Sequence, residues 1–228
     1  MIVSLMKILP CKEYVECFLD GMLYCNTVRY FRDEGYDEFE GAAFLHPTDL
    51  HISAHAFRVE DLAGPVILKL NVVANLNVFC MFSWRVPKVG DDKIRIDLES
   101  QLGRITDCKD DFGPYTVVVK NTTEFFRRVK MAIKERRREV RAGVRGVVRY
   151  INPDTHRSNL DELLKIPLFK QERFEHQREY RFVFQTDREP AGPLVLPIGD
   201  IRDIAFWMKT EDVYDNVKVE EKMGSSRD

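Results

Sequence analysis

The sequence predicts an α+β domain with a largely antiparallel β-sheet and peripheral helices, and three observations carry that expectation. Short alternating apolar runs recur along the chain, with Tyr180, Phe182 and Phe184 of EYRFVF falling on one side of an extended segment. Two helical patterns interrupt these runs, one after the first strand and one opened by NTTE at 121–124. The order of the strand and helix signals fits an α+β arrangement.

Taken in order, residues 2–9 read as a strand and Lys12 to Asp20 as a helix, with Tyr14, Val15, Phe18 and Leu19 as its apolar face and Gly21 as its stop. MLYCNTVRYF resumes an extended course with a bend at Asn26 and Thr27, and the acidic RDEGYDEFEG at 32–41 reads as a surface loop. LHISAHAFRV and VILKLNVVANLNVFCMFSW read as strands, broken at Ala63-Gly64-Pro65 and near Ala74-Asn75, with a turn over 87–95. PYTVVVK is another strand. Asn121 then caps a helix whose buried stripe is Phe125, Phe126, Val129, Ala132 and Ile133, ending near Ala142-Gly143. GVVRYI is a strand, 157–170 is partly helical, 178–186 is a strand, and LVLPI and IRDIAFWM supply the last extended pieces. Residues 219–228 read as a flexible tail.

The 228 residues fit a single domain over 1–228, and 44% hydrophobic with 32% charged residues argues against disorder. No apolar run is long enough for a membrane helix, and MIVSLMKILP lacks the features of a signal peptide, so a cytoplasmic protein is expected. Five cysteines without a CxxC pair fit reduced thiols. The net charge of −2 conceals a polarity. Lys120 to Arg149 holds eleven Lys and Arg against three Glu, whereas Cys11 to Asp61 holds four basic against eleven acidic residues.

Three places offer chemistry. Gln177 and Glu179, two apart at the start of an aromatic strand, can grip adjacent ribose hydroxyls and stabilise positive charge at an anomeric carbon; the alternative is a solvated strand face. Ser83 and Trp84 end the apolar run NVFCMFSW and can orient or stack a flat ring; the alternative is a strand-end Ser bonded to a turn. The segment GMLYCNTVRYFRDEGYDEFEG offers Tyr24, Asn26, Tyr30 and Arg32 as walls and phosphate contacts of a nucleotide site, or a solvated acidic loop. His51 and His55 alternate with apolar residues and find no third ligand, so no metal is expected. The basic helix over 121–142 carries Arg127, Arg128, Lys130, Lys134, Arg137, Arg138 and Arg141, which suits nucleic acid, an acidic protein partner or plain solvation.

In sequence order, YVECFLDGMLYCNTVRYF with DEFEG, then FCMFSW, then FEHQREYRFVF resemble blocks of the ADP-ribosyltransferase-like superfamily in its arginine–serine–glutamate layout. The overall layout is similar to uncharacterised bacterial and phage proteins with an Asp-x-Phe-Glu front and a Glu-Tyr-Arg strand. The resemblance implies a split-sheet domain with NAD⁺ as substrate in the cleft between two small sheets. It implies Glu179 as catalytic glutamate with Gln177 as its partner, Ser83 on the nicotinamide-ribose side, and Lys7 where the family carries Arg or His on the first strand. It further implies an ADP-ribosyltransferase modifying nucleic acid or protein, in a toxin or phage-conflict role, with an antitoxin as a natural partner. A non-enzymatic module binding nucleic acid or protein through 127–141 is the competing expectation.

Overall fold

The computed structural model describes residues 2–46, 64–85, 100–105, 108–188 and 190–217. Its strands are β1 (Ile2–Leu9), β2 (Met22–Thr27), β3 (Ala43–Leu45), β4 (Val66–Leu68), β5 (Asn77–Arg85), β6 (Tyr115–Val119), β7 (Val140–Val147), β8 (Arg149–Ile151), β9 (Phe169–Gln171), β10 (Glu179–Thr186), β11 (Leu194–Pro197) and β12 (Ala205–Lys209). Its longer helices are α1 (Lys12–Leu19), α2 (Val28–Asp33) and α3 (Thr122–Glu135). The α+β class and the largely antiparallel sheet are as the sequence predicts; the small β8–β9 pair is parallel.

The eight-stranded main sheet forks at β5. One edge of β5 pairs with β10 from Asn77 to Phe82, and β7 continues beyond β10. The other edge is shared. β1 pairs with it from Phe82 to Arg85 and leads on to β6 and β12, while β2 joins only at Asn77 and Val78 and leads on to β11. Between the two branches the Cys80 carbonyl meets no strand, and the Lys7 ammonium donates to it at 2.8 Å. A buried carbonyl has to be paired, and Lys7 does so where a strand does not.

On one face of the sheet α1 and α3 pack over Leu5, Phe79, Met81, Tyr180, Phe182 and Phe184. The Phe125 and Phe182 rings meet at 6.0 Å, and Phe126 stacks on Tyr180 at 5.5 Å. The aromatic side of β10 is therefore a core face. The opposite face carries two smaller apolar clusters, one around Met6, Phe82 and Trp84 and one around Val28, Val78, Ile166 and Val183. Gly21 (φ 80°) closes the turn after α1 against Gly199, where an added Cβ would meet backbone oxygen at 1.9 Å.

Local differences have local causes. Val28–Asp33 is helical, not extended, because Thr27 caps it by accepting from the Tyr30 amide at 3.2 Å. Asn71–Ala74 forms one helical turn between β4 and β5. Asn121 caps α3 as expected, accepting from Glu124 N at 3.0 Å, but α3 stops at Glu135 and Val140 already belongs to β7. Strand pairing of 140–147 with β10 wins over helix propensity there, which places Arg137 and Arg138 in a turn and Arg141 on a strand. Tyr14 is exposed instead of part of the α1 face, and the five cysteines are free. The expected strand over 50–59 with His51 and His55, the turn over 87–95 and the tail 219–228 lie outside the described residues.

Phe182, 1% exposed and ringed by Phe79, Phe125, Phe126 and Phe184, is a test of this core. Phe182→Ala is expected to cost about 3–5 kcal/mol in urea unfolding. Tyr14→Ala is expected to stay within about 0.5 kcal/mol of wild type.

Candidate active site

The chain enters β10 through a left-handed turn. Residues Glu172–Gln177 form a 3₁₀ helix, and Arg178 follows at φ 43°, a conformation that costs a residue with a side chain. Ser83 holds it there: its backbone amide (2.9 Å) and its Oγ (2.7 Å) both donate to the Arg178 carbonyl. On the other side of the turn the Glu179 amide donates to the Tyr150 hydroxyl at 2.8 Å. Gln177 and Glu179 are thus brought together by a turn, not by strand spacing.

Beyond the turn, Glu179, Arg181 and Val183 point to the face opposite α3, since the register pairs them with Phe82, Cys80 and Val78. Arg181 is 2% exposed and has an acceptor for each of its five N–H donors. Nε and Nη2 reach Glu179 at 2.7 and 3.2 Å, Nη1 and Nη2 reach Glu40 at 2.5 and 3.0 Å, and Nη1 also reaches the Pro167 carbonyl at 2.6 Å. The Lys170 ammonium completes the group, donating to Glu179 Oε1 at 2.8 Å and to Gln177 Oε1 at 2.7 Å. Two cations face two carboxylates, so the buried cluster is neutral. Burial pushes the Glu179 carboxyl up, but Arg181 and Lys170 outweigh it and hold it well below the usual carboxylate range.

An open cleft of about 450 Å³ lies beside this cluster, lined by Gly35, Tyr36, Asp37, Glu38, Arg173, Phe174 and His176. Lys170 connects the two, with its ammonium 4.4 Å from the Phe174 ring centre and on Glu179 at its other side. Tyr36 contributes an exposed ring, while the Phe174 ring carries two cations, Lys170 at 4.4 Å and Arg173 at 4.8 Å from its centre. Asp37, 3% exposed, accepts from the Phe39 amide at 3.0 Å and has Arg173 at 3.8 Å. Burial, with Glu40 adding to it, pushes its carboxyl above its ordinary value. The cleft thus sets the Tyr36 ring and two cations, Lys170 and Arg173, beside the carboxylates of Asp37 and Glu38, with Glu179 ionised behind Lys170.

The other expected site residues scatter. Tyr30 does not line the cleft but packs behind it, its ring 6.3 Å from that of Tyr36. Arg32 is turned inward, donating to the Glu40 carbonyl at 2.8 and 3.3 Å, so it braces the loop. Tyr24 stands exposed on β2, and Asn26 lies half-buried beside it, paired with Val78. Ser83 shares its face with Phe79 and Met81, so its side chain lies across the sheet from Glu179 and acts on it only through Arg178. Trp84 is buried among Met6, Phe82, Leu102 and Ile105. Lys7 lies over Phe79 at 4.8 Å and caps Cys80, and burial lowers its pKa. Of the basic residues, Arg127 and Arg128 pair with Glu124, Arg128 also with Asp203, and Arg141 with Asp187. Lys130, Lys134, Arg137 and Arg138 make no ion pair among the described residues.

Asp37, Glu40, Lys170 and Arg181 are the members that reading the sequence for sites does not pick out. Asp37 and Glu40 sit in what reads as a solvated acidic loop, yet Gly41 (φ 62°) tucks the loop under Val28, where a Cβ would meet Val28 at 2.5 Å. A surplus of carboxylates beside a strand carrying Glu-x-Arg is the one signal that links them. Among the described residues no group of three or more His, Cys, Asp or Glu is gathered for a metal. Comparison with protein-family models, with curated proteins and with solved structures returns no match.

Arg181→Met would leave Glu40 and Glu179 buried without their shared cation, and is expected to cost about 3–5 kcal/mol in urea unfolding. The carboxyl of Glu179 is depressed in the folded protein, so its contribution is complete above an unfolded pKa of about 4.3 and is lost as pH falls through the folded value. Unfolding free energy measured from neutral to acid pH should therefore fall more steeply for wild type than for Glu179→Gln; parallel curves would contradict the assignment.

Proposed function

We propose that the chain is an NAD⁺-consuming ADP-ribosyltransferase that works in the cleft between 35–38 and 173–176, with nucleic acid or protein as acceptor. The observation that carries this reading is the bonded run Gln177–Lys170–Glu179 beneath an aromatic cleft that also holds Arg173 and Asp37. The likeness of the Gln-x-Glu segment to that superfamily adds to it.

In this reading the adenine or nicotinamide ring lies against Tyr36 and Phe174, and the pyrophosphate draws on Arg173 and Lys170. Lys170 is the control point. With Lys170 on Glu179 the cluster is neutral; once a phosphate takes up Lys170, Glu40 and Glu179 share Arg181 alone and one negative charge is released toward the cleft. That charge stabilises the ribosyl cation as the bond from C1′ to the nicotinamide nitrogen breaks, its electron pair neutralising the pyridinium ring. An acceptor nucleophile then bonds to C1′ and yields its proton to Asp37, whose raised pKa suits the task. Bacterial or phage conflict is the setting in which such a transferase would act as a toxin, with an antitoxin to restrain it.

Glu179→Gln keeps shape and removes the charge, so nicotinamide release from NAD⁺ is expected to fall about a hundredfold or more. The check is turnover of wild type and variant side by side, with and without RNA, DNA or protein acceptor. Equal turnover would refute the role of Glu179. No turnover in either protein would leave the binding-module reading, which Lys130, Lys134, Arg137 and Arg138 favour, since they make no ion pair among the described residues.

A further inference from the structure

The basic segment and β7 meet on the face of the sheet that carries α3. Phe125, Val129 and Ala132 of α3 are buried, which turns Lys130 and Lys134 outward. These two lie one turn apart, about 6 Å along the axis. Arg137 and Arg138 follow in the exposed turn. Neighbouring cations are already neutralised: Arg127 and Arg128 by Glu124 and Asp203, Arg136 by Glu139, and Arg141 by Asp187. The four that remain have no carboxylate among the described residues.

Arg145 adds what a merely solvated face does not need. The register places it opposite Phe182, on the α3 side of the sheet. Its guanidinium carbon lies over Phe126, 3.8 Å from the ring centre, Phe126 stacks in turn on Tyr180, and Arg145 also bonds the Tyr180 hydroxyl. The result is a cluster of Tyr180, Phe126 and Arg145 in which the guanidinium covers the Phe126 ring and is itself exposed. A planar cation held against a ring and exposed to solvent is a group on which an unpaired base can stack.

We propose that the α3–β7 face binds single-stranded nucleic acid, with Arg145 as the stacking platform for a base and Lys130, Lys134, Arg137 and Arg138 each neutralising one of several successive phosphates. A duplex keeps its bases stacked inside, so the platform selects single strands. The face lies across the sheet from Glu179, and binding here does not rest on the transferase reading.

The test is fluorescence anisotropy with labelled single-stranded RNA and DNA of about 20 nucleotides, long enough for one such site, over a salt series. Wild type should bind with an affinity whose logarithm falls linearly against the logarithm of salt concentration. Replacing Lys130, Lys134, Arg137 and Arg138 together with Gln should lower that slope by about 3, at about 0.7 for each single-strand phosphate that no cation then neutralises. Arg145→Lys keeps the charge but not the plane, so the slope should hold while affinity drops about tenfold. Melting curves of the variants serve as the folding control. No binding by wild type at low salt overturns the proposal, as does an undiminished affinity in Arg145→Lys. Equal affinity for a poly-glutamate of matched charge overturns it in favour of an acidic protein partner.

Discussion

A single guanidinium organises the polar half of this protein. Arg181 sits inside the sheet's second face with all five donors matched, and its acceptors come from three separate stretches of chain: the 37–41 loop, the 3₁₀ helix around Pro167, and β10 itself. A buried charge is costly unless each of its hydrogen bonds is made, so the three stretches must arrive together. The loop that walls the cleft is fixed by this demand. Glu40 is tied to Arg181 by its side chain and to Arg32 by its carbonyl, and Tyr36 and Asp37 are carried along with it.

The fork in the sheet supplies the frame. β5 gives one edge wholly to β10 and divides the other between β1 and β2, with Lys7 pairing the carbonyl left at the division. Ser83, near the end of the same strand, holds Arg178 in its left-handed turn and so sets the direction in which Glu179 enters the cluster. The two faces of β10 then do different work. Tyr180, Phe182 and Phe184 anchor the aromatic core under α3, and Glu179 and Arg181 build the charged group on the far side.

Much of the frame is legible in the sequence because period and caps are local. The alternation at 179–184, the Gly21 stop and the Asn121 cap each fix an element by themselves. The end of α3 is not legible: basic residues that favour helix continue to Arg141, and only the partner strand β10 draws 140–147 into the sheet. The site is half legible. Glu179 and Gln177 stand out by type and place, whereas Ser83 and Trp84 are assigned to it by sequence order although the pleat sends Ser83 to the other face and Trp84 into apolar packing. Asp37 and Glu40 read as solvent-facing because nothing near them in sequence reveals the cation, 141 residues away for Glu40, that draws the loop inward.

In the proposed transferase, Lys170 leaves Glu179 when a nucleotide enters the cleft and so frees a negative charge for the ribosyl cation. A crystal structure with a non-hydrolysable NAD⁺ analogue would show this exchange. The analogue is expected against Tyr36 and Phe174, with the Lys170 ammonium on a phosphate oxygen and the ribose C1′ facing the Glu179 carboxylate. An analogue bound elsewhere, or one bound in the cleft with Lys170 still on Glu179, would contradict it.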